Sequence, residues 1–80
     1  MLRMISVTPA GDGWTVSAEP FDNEMLFFSG AKAESAARRM GRTIAKGGET
    51  AEISIFLRDG SLAARFVCPA IDGVADERAI

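Results

Sequence analysis

Histidine and tyrosine are absent from this 80-residue chain, and cysteine occurs once. Without histidine, the commonest general base and the commonest transition-metal ligand are missing; without tyrosine there is no phenol. The single Cys68 rules out an intrachain disulfide and fits a reducing compartment. No apolar run approaches the ~18 residues of a membrane span, and the opening MLRMISV turns polar too soon for a signal peptide. Excess positive charge is lacking too: nine Lys and Arg stand against 11 Asp and Glu, a net charge of −2. Global attraction to nucleic acid or anionic lipid is thereby excluded, and such binding would need a local patch. These deficits predict a cytoplasmic protein without a membrane partner.

What remains is the composition of a globular domain, 48% hydrophobic and 25% charged. A chain this short is one domain and buries only roughly 60% of its unfolded surface. Residues Met4 to Pro9 and Trp14 to Glu19 alternate with period two, which marks half-buried strands. Between them lies Ala10-Gly11-Asp12-Gly13. A two-residue Asp12-Gly13 turn would set Val7 opposite Ala18, and a four-residue loop would set Val7 opposite Val16. Either puts apolar residues together. Phe21-Asp22-Asn23-Glu24 reads as a second turn, followed by a third strand from Met25 to Ser29. A turn on Asp22-Asn23 would pair Ala18 with Phe27, sending Phe27 inward and Phe28 outward.

Gly30 to Lys46 is the only helical pattern. Ala33, Ala36, Ala37, Met40 and Ile44 share one face, Ser29 suits the N-cap, and Gly47-Gly48 supplies the stop. Ala51 to Leu57 and Leu62 to Cys68 form a second hairpin about Asp59-Gly60. That register sets Leu57, Ile55, Ile53 and Ala51 opposite Leu62, Ala64, Phe66 and Cys68 on the core face. Phe56 then faces Ala63 on the other side, with Ser54 facing Arg65 and Glu52 facing Val67. After Pro69 the pattern ends, so residues 1–68 are expected to form the domain and 69–80 a partly frayed tail in which Ile71 can dock. The expected fold is α+β: a single antiparallel sheet in a β-β-β-α-β-β chain, with one helix packed on one face.

With these elements placed, the chain resembles a small bacterial family, domain-of-unknown-function family 2188. The resemblance is carried by Val7, Pro9 and Gly11-Asp12-Gly13-Trp14, by the alanine-rich helix around Ala33 to Ala45, and by Arg58-Asp59-Gly60. It spans roughly residues 5 to 67, and residues 20 to 28 and the tail depart from the pattern. It implies the fold and brings no catalytic residues, because that family's activity is not established.

Gly11-Asp12-Gly13 invites comparison with a phosphate loop, but such a loop needs more glycines and a helix after it. Here a strand follows, so the segment reads as a hairpin turn. Cys68 reads as an inert core thiol. No residue pattern points to catalysis, a cofactor or a metal. One helix cannot cover two sheet faces, so an apolar face is expected to stay open, with Phe56, Val67, Ala63, Phe28, Leu26 and Met4 on it. Large exposed apolar patches mark interfaces. The sequence therefore predicts a non-catalytic interaction module, a homodimer or the partner of another small protein, with Phe28, Phe56, Ala63, Arg65 and Val67 at the contact. The alternative is a weak nucleic-acid binder that uses the helix stripe Arg38, Arg42 and Lys46, spaced by four, or the sheet aromatics.

Overall fold

The computed structural model describes residues 2–18 and 24–71. Along them run β1 (Leu2–Ala10), β2 (Gly13–Ala18), β3 (Glu24–Phe27), α1 (Gly30–Lys46), β4 (Thr50–Phe56) and β5 (Leu62–Cys68). The five strands form one sheet in the order β3-β2-β1-β4-β5, and α1 packs across one face of it.

The sheet is mixed rather than antiparallel throughout. β1 and β4 run parallel, with Ile5 level with Ile53 and Val7 with Ile55. The cause is α1. A helix that packs on its own sheet carries the chain back, so the next strand enters in the direction of the strand before the helix. β3 and β1 share a direction because each is antiparallel to β2. β4 therefore arrives parallel to β1 and inserts beside it. β1 becomes the central strand, and the two flanking hairpins end at opposite edges.

The first hairpin takes the four-residue-loop register, with Val7 opposite Val16, and adds one further pair, Ala10 opposite Gly13. The turn rests on Gly11, which has φ of 58° and no Cβ to oppose it. The second hairpin differs from the expected Asp59-Gly60 turn. Its loop is the three residues Arg58 to Gly60: Leu57 N–H donates to the Ser61 carbonyl, and Gly60 N–H, at φ 88°, donates to the Leu57 carbonyl. This shifts the pairing by one residue, so Phe56 lies opposite Leu62 instead of Ala63. A β-bulge at Ile55/Phe56 cancels the shift, and Ile55, Ile53 and Ala51 pair with Ala64, Phe66 and Cys68 as the alternation predicts.

The third strand also corrects the sequence reading. Phe27 lies opposite Trp14 rather than Ala18, and Glu24 is a strand residue opposite Ser17. Phe27 still faces the helix, because the register changed by an even number. Trp14 and Phe27 are thus cross-strand partners, and the Trp14 indole lies 3.1 Å from where a Cβ on Gly30 would sit. Residues 21–23 of the expected turn lie outside the described residues.

α1 spans the residues its pattern marks out. Ser29 caps it by accepting from Lys32 N–H. At the other end Glu49 N–H reaches the Ile44 carbonyl and Gly48 N–H the Ala45 carbonyl, a Schellman stop. The buried residues Ala33 and Ala37 meet Ile5, Val7, Val16, Ala51 and Ile53 in one core. Alanine on the helix brings its backbone close to the sheet, and Gly41 makes the closest approach. A Cβ there would lie 2.8 Å from Cys68 Sγ and 3.1 Å from Ile53 Cδ1. Ile71 does dock: its N–H donates to the Ala45 carbonyl, beside an Ala70 N–H bond to Thr50 Oγ1. Residues 72–80 lie outside the described residues.

Candidate interaction surfaces

The sheet face away from α1 is not one apolar plane. Cross-strand register sorts its side chains into rows. The middle row runs Glu24, Ser17, Ser6, Ser54, Arg65 and is polar from edge to edge. Arg65 Nε also forms a 2.8 Å ion pair with Glu52 Oε2 across β4 and β5. Thr8 and Thr15 add a second polar pair on the central strands, their hydroxyls 3.3 Å apart. The most exposed apolar residues sit at the margins, Leu26 on β3 at 62% and Leu62 and Val67 on β5 at 45% and 57%, while Met4 on β1 and Phe56 on β4 lie half-buried on the inner strands on either side of the polar row.

The expected contact residues are therefore divided. Phe56, Ala63, Arg65 and Val67 lie together on β4 and β5. Phe28 follows β3 and is 86% exposed, at the other edge of the sheet. Four strand spacings, roughly 19 Å, separate the two edges. No single small contact on this face covers both.

The two edge strands are unlike each other. β3 has four residues, one of them Glu24. Short and charged edges resist pairing with another chain. β5 has seven residues, and Leu62, Ala63, Arg65 and Val67 on it are exposed. Its one charge, Arg65, is already matched by Glu52. The bulge lies at the hairpin end, and Pro69 comes only after the strand. Among the described residues nothing pairs with or covers the outer backbone groups of the regular stretch Ala64 to Cys68.

The helix stripe is not a free cationic row. The Arg38 guanidinium lies 4.0 Å from the centre of the Phe66 ring and forms 2.9–3.0 Å contacts with Glu34 Oε2. It covers the core on the β5 side. Arg42 and Lys46 remain exposed farther along.

The two glycine-bearing turns lie at the same end of the sheet, because β1 and β4 are parallel. Arg58 Nη1 donates to the Gly11 carbonyl at 2.9 Å, tying the second turn to the first. Asp59 accepts from the Ser61 hydroxyl at 2.6 Å and from its N–H at 2.9 Å. These bonds, the hydroxyl's first, hold the Asp59 carboxyl below its usual pKa. Asp59 and Arg58 thus have structural partners, and Gly11-Asp12 forms the turn of its hairpin. No group of three metal-binding side chains occurs among the described residues, and no helix there is long and apolar enough to cross a membrane.

A feature without a signature in the sequence lies on the helix side, between α1 and the β3 edge. It is a groove of about 430 Å³ with an apolar floor of Met25, Phe27, Met40 and Ile44 and with Arg3 and Arg39 at its sides. A second hollow of about 320 Å³ shares Phe27, Ala36 and Arg39 with it and reaches Lys32. Arg3 is held by Glu49 at 2.7 Å. Among the described residues Arg39 has no ion-pair partner.

No family model, curated protein or solved structure matches the chain.

Proposed function

We propose that this protein is a non-catalytic interaction module that pairs with a second copy of itself through the β5 edge. The observation that carries the reading is the contrast between the two edges among the described residues: β3 has four residues and carries Glu24, whereas β5 has seven, is mostly apolar and pairs with nothing on its outer side. The backbone of an edge strand is complementary to the same strand in antiparallel orientation, so a two-fold axis through β5 joins two sheets into one. With Phe66 on that axis, each Arg65 lies opposite the partner's Val67. An axis at Arg65 itself would oppose two guanidinium groups and is disfavoured. On this register the ladder runs from Ala64 to Cys68, and Ala63 lies at its margin, opposite a proline without an N–H. This reading keeps Arg65 and Val67 at the interface, with Phe56 behind them and Ala63 at the margin, and leaves Phe28 out.

Val67→Lys tests it. The Val67 side chain is more than half exposed in the single chain, so the fold is expected to persist. In the pair the new ammonium would oppose the partner's Arg65, and the dimer dissociation constant is expected to rise at least about tenfold. Val67→Glu would meet the same guanidinium with opposite charge and is expected to weaken the dimer much less. Sedimentation equilibrium of both variants checks this. Equal behaviour of lysine and glutamate at position 67 would place the contact elsewhere.

A further inference from the structure

The groove between α1 and the β3 edge combines two properties. It is lined by the apolar Met25, Phe27, Met40 and Ile44, and the charged side chains that line it among the described residues are cations, of which Arg3 is ion-paired with Glu49. Arg3, Arg39 and Lys32 line the two connected hollows, while no Asp or Glu among the described residues does. The chain as a whole is acidic, with a net charge of −2. A cationic collar on such a protein is a local arrangement and not a reflection of composition. The volumes, about 430 and 320 Å³, fall within the ~300–1,000 Å³ of small-molecule sites, which are likewise mostly apolar with a few placed polar groups.

We infer that this groove binds a small anionic amphiphile: an unbranched acyl chain ending in a single carboxylate. The chain would lie on Met25, Phe27, Met40 and Ile44, where burying each methylene removes apolar surface from water. The carboxylate would meet Arg39, whose guanidinium presents a planar fork of donors and has no competing ion pair among the described residues. Arg3 is held by Glu49, so the charge offered to the carboxylate comes from Arg39, with Lys32 in the neighbouring hollow. The groove lies against β3, at the edge opposite β5, so it stays open when two β5 edges pair. The site and the proposed dimer are therefore separately testable.

The test is titration of the full chain with dodecanoate, dodecanol and dodecyltrimethylammonium, each below its micelle concentration, followed by calorimetry and by backbone amide shifts. Dodecanoate is expected to bind one per chain, with the largest shifts at Met25, Phe27, Ala36 and Met40. Dodecyltrimethylammonium, with the same tail and the opposite charge, is expected to bind about threefold to tenfold more weakly. Arg39→Glu is expected to weaken dodecanoate by a similar factor and leave dodecanol unchanged. Arg39 is exposed, so this variant keeps the fold. Absence of dodecanoate binding would overturn the inference. So would equal affinity for the two charged amphiphiles, or shifts confined to the open sheet face.

Discussion

Ile53→Ala is expected to remove about 2–5 kcal/mol of folding stability. Ile53 is fully buried on β4, between Ile5 on β1 and Phe66 on β5, and its Cδ1 lies under the helix at Gly41. Truncation loses the transfer energy of three carbons and leaves a cavity. The neighbours cannot close it readily, because the helix residue directly above it is Gly41, which has no side chain to lower into the gap, and Met40 and Ile44 are already packed against the core. A domain of this size has of the order of 4–12 kcal/mol in all. The variant is therefore expected to show a much lower urea midpoint with an unchanged slope. Urea unfolding followed by far-UV circular dichroism measures both.

Gly41→Leu carries the second large effect, by the opposite cause. A Cβ at position 41 meets Cys68 Sγ at 2.8 Å and Ile53 Cδ1 at 3.1 Å, so any side chain there lifts the helix or displaces two core residues. Overpacking of this kind costs about 1–3 kcal/mol, and sometimes more. The gain in helix propensity over glycine offsets at most about 1 kcal/mol of that. The two substitutions share one space, so they are expected not to add. The leucine introduced by Gly41→Leu can occupy the volume that Ile53→Ala vacates, and the double variant should be more stable than the sum of the singles by about 0.5–3 kcal/mol. Strict additivity in a double-mutant cycle would mean that the helix does not cross the sheet at this point.

Much of this geometry can be read from local pattern, and the failures share a cause. The helix, its Ser29 cap and its glycine stop depend on residues a few positions apart, and they are found where the pattern puts them. The pairing of Ile53 with Phe66 follows from alternation on either side of a short turn. The loop Arg58-Asp59-Gly60 is a narrower case: the glycine is visible, but two- and three-residue loops differ in one pairing, and a bulge repairs the difference. The parallel β1–β4 pair cannot be read by alternation, since it joins residues 48 apart in the chain, such as Ile5 and Ile53. It follows instead from the directional effect of a helix between two strands.

The surfaces are less legible than the core. Ser6, Ser17 and Ser54 are unremarkable singly, and only the cross-strand register assembles them into a polar row through the open face. The strand order places Phe28 at the edge opposite Phe56 and Val67. Arg38 lies on the same helical stripe as Arg42 and Lys46, yet Phe66 and Glu34 hold it. The groove beside β3 depends on how far α1 stands from Met25 and Phe27, and no spacing along the chain encodes that distance.

The β5 edge can be tested most directly by the solution mass of the unmodified protein, measured by light scattering across a wide range of concentrations. Pairing through β5 predicts a reversible rise from the 8.5 kDa of one chain towards twice that value, shifted to higher concentration by Val67→Lys. A mass of one chain throughout, or a dimer indifferent to Val67→Lys, would contradict it.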